Sequence, residues 1–208
     1  MEHLVTEITP KDRKRSLVRL ADGAALPLYL GEIRRYHIEE GQPIAEEAWE
    51  ALQKTLIKRV RLRALHLLDK SDRTSGELRE KLTQAGYPAY LADNAVDYVS
   101  SYGYVNDVRY ARTYIEQKSG KKSTREMRQY LAGKHISRDI IDEALAETET
   151  DDATALRRLA ARKAAQIKPQ DAAGWQKVVR YLAGHGYVYG DIRDVIEELK
   201  EEMETEEE

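Results

Sequence analysis

The chain has 208 residues, 34 % of them charged and 41 % hydrophobic, a balance too charged for a membrane-embedded protein and too apolar for a disordered one. Lysine and arginine number 34 against 37 acidic residues, so the net charge of −3 gives no compositional reason to expect a polyanionic partner. The absence of cysteine excludes disulfides, thiolate metal sites and a cysteine nucleophile.

In chain order, the first 44 residues read as a small β unit. HLVTEI, SLVRLADG and AALPLYL are short segments rich in Leu and Val, Asp22-Gly23 supplies a hairpin turn, and Pro27 places the last strand at an edge. Gly41 and Pro43 then punctuate the chain, a helical pattern starts near Ala45, and no further strand is expected as far as Met203. The opening MEHLVTEITPKDRKR lacks the apolar core of a secretory signal, and no apolar run approaches the ~20 residues a bilayer requires, so no membrane contact and a cytoplasmic location are expected.

Repetition organises the helical part. GELREKLTQAGYPAYLADNAV from Gly76, REMRQYLAGKHISRDIIDEAL from Arg125 and QKVVRYLAGHGYVYGDIRDVI from Gln176 align without gaps. Leu82, Leu131 and Leu182 share one column; Leu78, Met127 and Val178 share another; Val96, Leu145 and Ile196 a third; and Leu65, Tyr114 and Ala165 stand upstream of them. Each repeat reads as a longer helix followed by two short ones, each with one apolar stripe, so burial needs all three. Thr74 with Glu77 and Ser123 with Glu126 have capping-box spacing. Gly86 and Gly186 mark turns with positive φ, a position held by His135 in the second repeat. Pro88 suits a helix N1 position, and Asn106-Asp107 a helix start. The expectation is a mainly α chain of about nine helices in three repeats. Its divisions are 1–44 (β unit), 45–105 (linker helix and repeat one), 106–150 (basic repeat two), 151–200 (repeat three) and 201–208, a frayed acidic tail.

Charge is polarised along the chain: −1 over residues 1–58, +4 over 59–146 and −6 over 147–208. Residues 108–138 hold nine basic groups, Arg109, Arg112, Lys118, Lys121, Lys122, Arg125, Arg128, Lys134 and Arg138, against only Glu116 and Glu126. Lys121-Lys122 precedes a helix N-terminus, where the backbone dipole is already positive, so this band implies a phosphate backbone or an acidic protein groove as partner.

Catalytic constellations are missing: the glycines are scattered, the five histidines form no HExxH or i,i+4 pair, and no serine has a nucleophile-elbow context. The recurrence of His135 and His185 follows from the repeats, so neither a metal nor a cofactor is expected. Tyr98, Tyr102, Tyr104, Tyr110 and Tyr114 could stack bases, but in a chain without Phe they are read as amphipathic core and rim residues. PAYLADNAVDYVSS, the second helix of a possible helix-turn-helix, carries no Arg, Lys or Gln to read base edges, so any DNA contact should have weak sequence preference.

Four segments carry a family resemblance: ALHLLDKSDRTSGELREKLTQAGY, AVDYVSSYGYVNDVRYARTYI, REMRQYLAGKHISRDIIDEAL and VVRYLAGHGYVYGDIRDVI. Over residues 60–199 the chain resembles the RecX family, regulators of the bacterial RecA recombinase. The resemblance implies an elongated, curved array of three three-helix repeats without enzymatic activity. It further implies binding in the groove of the RecA–DNA filament, bridging protomers, and mostly inhibition of RecA ATP hydrolysis, strand exchange and co-protease activity; a monomer touching DNA directly or through the filament is expected. A helix-turn-helix transcription regulator and a repeat adaptor unrelated to DNA are the alternatives.

Overall fold

Three strands open the chain in the computed structural model, which describes residues 3–206. They are β1 (Val5–Pro10), β2 (Arg15–Leu20) and β3 (Ala25–Tyr29), antiparallel in the order β1-β2-β3. Side-chain carboxylates close both hairpins. Asp22 accepts from the Ala24 amide at 2.8 Å beside Gly23 at φ +86°. Asp12 accepts from the amides of Lys14 and Arg15 and from the Arg15 guanidinium, and these bonds hold its carboxyl below the usual range. β3 is an edge strand, as its Pro27 requires.

The β unit does not run unbroken to residue 44. Helix α1 (Leu30–Arg35) follows β3 directly, with Glu32 turned back to accept from the Tyr29 amide at 2.8 Å. This short helix buries no residue, so it writes no apolar stripe into the sequence.

Val18, Leu20, Leu26 and Leu28 on the sheet pack into one core with Leu52, Leu56 and Val60 of α2 (Glu46–Lys70). The same helix continues through Ala64 and Leu67 to pack against α3 (Ser75–Gln84) and α4 (Ala89–Ser101), so sheet and repeat one share a core within a unit ending at Asn106. Pro88 is the N-cap of α4 rather than its first helical residue, with ψ +156°.

The second unit begins at Asp107. Helices α5 (Asp107–Lys118), α6 (Thr124–Gly133) and α7 (Arg138–Glu147) enclose Ala111, Ile115, Met127, Leu131 and Ile141. Helices α8 (Asp152–Ala164), α9 (Ala172–Gly184) and α10 (Tyr189–Glu206) enclose Leu156, Trp175, Val178, Leu182 and Ile192. The described residues thus hold ten helices, one more than the repeats account for, the extra one being α1.

Both short-helix columns, Leu78/Met127/Val178 and Leu82/Leu131/Leu182, are buried throughout. Both capping boxes form, on the buried hydroxyls of Thr74 and Ser123. The upstream column is displaced by one residue: Ala165 is exposed, and the interior is taken by Ala64 and Ala164, one position before the column, and by Ile115, one position after it. The acidic end is not a frayed tail over its first six residues. It is the last part of α10, where Leu199 and Met203 pack on the core of repeat three and Arg157 pairs with Glu198 at 2.7 Å and with Glu202. Glu207 and Glu208 lie outside the described residues.

Repeats two and three meet at the start of α6. Ser123 Oγ donates to the His185 carbonyl at 2.6 Å, the Thr124 amide and hydroxyl both reach Asp152 at 2.9 Å, and the stem of Arg125 lies over Gly186. Tyr187 is buried beside this junction, and its hydroxyl has no hydrogen-bond partner among the described residues. Burial first, then the charges of Glu126 and Asp152, push its pKa up to about 12 from 10.0.

Tyr187→Phe should therefore raise stability at neutral pH by about 1 kcal/mol, since it deletes an unsatisfied buried hydroxyl. The native pKa lies above the unfolded one, so this group leaves wild-type stability independent of pH below 10 and lowers it as pH rises from 10 through about 12. The variant should lose less stability across that window. Denaturant unfolding followed by circular dichroism checks both; a lower midpoint for the variant at neutral pH would show that the hydroxyl is bonded.

Candidate polyanion-binding cleft

The basic band divides into two groups with different surroundings. Arg112 on α5 pairs with Glu147 and lies 3.9 Å from Glu143; Arg128 on α6 pairs with Asp142, which Arg138 also approaches at 3.5 Å. These arginines are spent on tying α5 and α6 to the acidic face of α7. Arg125 is exposed but uses its stem to cover Gly186, while Lys134 holds its ammonium 5.5 Å from the Tyr130 ring centre. Arg109 is exposed on α5.

The second group converges. Lys118, Lys121 and Lys122 share a cleft of about 240 Å³ with Arg158 and Arg162 of α8, over a floor of Ala155 and Leu159. Local chemistry fixes this arrangement. Lys118 ends α5, where the helix dipole favours a cation. Gly120 at φ +65° turns the chain back so that the amides of Lys121 and Lys122 both donate to the Lys118 carbonyl at 3.0 Å. Ser119 then pins the turn to the entry of α8, donating to the Glu149 carbonyl at 3.2 Å and accepting from the Asp151 amide at 3.0 Å. Asp151 in turn caps α8 through the Thr154 amide at 2.8 Å, and the Thr154 hydroxyl first, then this amide, lower its pKa. One helical turn separates Arg158 from Arg162, so both face the lysine turn.

Among the described residues none of these five cations has a carboxylate within ion-pair distance. Five positive side chains repel one another across so small a cleft, and an anion entering it removes that repulsion. A chain of phosphates or carboxylates is the ligand such a cleft suits.

Charge counting along the sequence misses Arg158 and Arg162 because they lie in the stretch whose net charge is −6. The available signal is local: Arg157, Arg158, Arg162 and Lys163 stand within two turns of one helix.

The tyrosines separate as well. Tyr114 stacks on Tyr130 with centroids 4.2 Å apart and planes 6° from parallel, a rim contact within repeat two. In the first unit Tyr98 is half-buried under the Arg61 guanidinium at 4.5 Å, while Tyr102 and Tyr104 are 64 % and 59 % exposed. His135 adopts φ +60° in its turn, and His185 Nδ1 lies 2.8 Å from the Tyr181 carbonyl. Among the described residues no cluster of His, Asp or Glu could hold a metal, and no helix is long and apolar enough to cross a membrane.

Comparison with known proteins agrees with this three-repeat division. Sequence models for the first, second and third three-helix domains of RecX match residues 61–98, 106–145 and 149–196. A regulatory protein RecX of Vibrio vulnificus is 33 % identical over 131 residues, 62 % of this chain and 86 % of that one. Another from Clostridium tetani is 24 % identical over 93 % of this chain and 92 % of its own length. Two crystal structures share the fold. One, of a regulatory protein RecX, has a TM-score of 0.61 at 21 % identity and covers 92 % of this chain and 98 % of that one. The other, of RecX from Lactobacillus salivarius, has a TM-score of 0.59 at 22 % identity and covers 70 % and 97 %.

Proposed function

Because the chain belongs to the RecX family of regulatory proteins, we propose that it acts without catalysis of its own, by binding the RecA–DNA filament and lowering RecA's ATPase, strand-exchange and co-protease activities. The observation that carries the reading is the cleft of Lys118, Lys121, Lys122, Arg158 and Arg162, five cations without a carboxylate in ion-pair distance among the described residues. A nucleoprotein filament presents phosphates and acidic side chains together, and long-range attraction to such a surface speeds encounter as well as strengthening it. Contacts of this kind read the backbone rather than base edges, so sequence preference is weak. The partner is then the recombinase filament, with DNA touched directly or through it in the cytoplasm.

The decisive experiment measures RecA ATP hydrolysis on single-stranded DNA across a titration of this protein. A fall in rate that depends on protein concentration is expected. An unchanged rate together with a sequence-dependent footprint on duplex DNA would replace this reading with that of a transcription regulator.

A further inference from the structure

A second basic pocket lies in the first unit, between the sheet and the helices beneath it. It has a volume of about 470 Å³, and Lys11, Arg15, Arg59, Arg63, Tyr29 and Tyr87 line it. The most deeply set of the cations, Arg59, is only 21 % exposed and is held on three sides. It donates to the Pro27 carbonyl at 3.1 Å, pairs with Glu32, and lies 4.6 Å from the centre of the Tyr29 ring. Glu32 is itself shared, since its other oxygen caps α1. Two of the five guanidinium N–H donors of Arg59 are thereby committed and the group is locked in orientation.

Arg63 stands one turn further along α2 on the same face, exposed and without an ion-pair partner among the described residues. Like charges at i,i+4 cost a helix stability, and Lys11 in the β1–β2 turn and Arg15 at the start of β2 add two more. Lys11 is positioned by donating to the Ala85 carbonyl at 2.6 Å, and Arg15 by its pair with Asp12 at 2.7 Å. Four cations thus face two carboxylates, Asp12 and Glu32, and the excess points into a concavity. The Tyr87 hydroxyl sits within electrostatic reach of Arg59, Arg15 and Arg63 and is kept protonated by burial, so it remains a donor.

We propose that this pocket binds a nucleotide, its phosphate held by Arg59 and Arg63 with Lys11 and Arg15 completing the charge, its base or sugar against the rings of Tyr29 and Tyr87. The size decides against a bare phosphate. The volume falls within the ~300–1,000 Å³ of small-molecule sites and would leave the aromatic wall uncovered around a lone oxyanion. Guanidinium pairs suit phosphate because the planar fork matches its oxygens, and aromatic faces add stacking that does not depend on base identity. A free nucleoside monophosphate and the phosphorylated end of a DNA strand offer the same group to the pocket. The inference does not depend on the filament reading, since the two clefts lie in different units and share no residue.

Calorimetric titration of the full chain at constant ionic strength tests it, with orthophosphate, a nucleoside 5′-monophosphate and a short 5′-phosphorylated DNA oligonucleotide as probes. Saturable binding of the monophosphate, or of the oligonucleotide in preference to its 5′-hydroxyl counterpart, is expected; whichever binds identifies the source. Arg63→Glu, at an exposed position that should leave the circular dichroism spectrum unchanged, should weaken binding by at least about tenfold. Reversal of Lys118, Lys121 and Lys122 should leave it within about twofold, separating this pocket from the other cleft. No saturable binding by any nucleotide probe, binding of orthophosphate alone, or equal binding by Arg63→Glu would overturn the proposal.

Discussion

Reversing Lys118, Lys121 and Lys122 to glutamate is expected to weaken association with the RecA–DNA filament by at least about a hundredfold near physiological salt, and to flatten its salt dependence. The three lysines supply most of the charge in the cleft, and glutamates there would pair with Arg158 and Arg162, cancelling what remains. Every phosphate left without its cation takes roughly 0.7–0.9 from the slope of log affinity against log salt, so the slope should drop by about 2 to 3. The matching control is Arg112→Gln. That arginine already has Glu147 and Glu143 beside it, so its loss should change affinity by less than about threefold and cost only about 0–1 kcal/mol of stability. Filament binding measured by anisotropy at several salt concentrations separates the two. Equal losses from both variants would mean that the whole band, rather than the cleft, makes the contact.

Gly186→Ala should be among the most destabilising single-methyl changes in the chain, lowering unfolding free energy by about 3 kcal/mol. Gly186 sits at φ +94°, where a side chain is strained whatever the space around it. A Cβ there would also fall 2.4 Å from Arg125 Cδ and 2.7 Å from Arg125 Cβ. The latter atom cannot swing away without moving α6. Gly86→Ala provides the calibration: at φ +98° it bears a similar backbone penalty, but its Cβ would meet only the flexible end of Lys11, 2.5 Å away. Its cost should stay near 1–2 kcal/mol. Urea unfolding of both variants gives the difference; equal midpoint shifts would mean that the Arg125 stem yields freely and does not join repeats two and three.

These two glycines also show what the sequence can disclose. Turn chemistry and capping are local: Gly86, Gly186, Thr74 with Glu77 and Ser123 with Glu126 can be read directly, because each depends on residues within a few positions of itself. The repeat columns are equally legible, since Leu82, Leu131 and Leu182 must all face the same way for each triplet to bury anything. Helix α1 is not. Its N-cap is Tyr29, whose neighbours give no apolar period, and Glu32 is explained by contacts in space with Tyr29 and Arg59. The cleft is half-legible for the same reason. Its lysines form a run in the chain, but Arg158 is brought to them only by the way α8 returns past the 118–122 turn. Conversely, Arg112 and Arg128 look available in the sequence, whereas α7 places Asp142, Glu143 and Glu147 against them. Charge counting along a chain cannot distinguish a cation that is answered from one that is not.

Helix α2 runs for 25 residues, about 37 Å, and belongs to two structures at once. Its first half closes over the sheet and its second half is the long helix of repeat one, yet similarity to the first RecX domain begins at residue 61, in mid-helix. The edge of that domain model and the edge of the packed core therefore fall at different places in the chain. Cutting at residue 61 would open Leu52, Leu56 and Val60 to water along with the sheet face they cover, so the N-terminal part is as much a partner in the cooperativity of repeat one as α3 and α4 are.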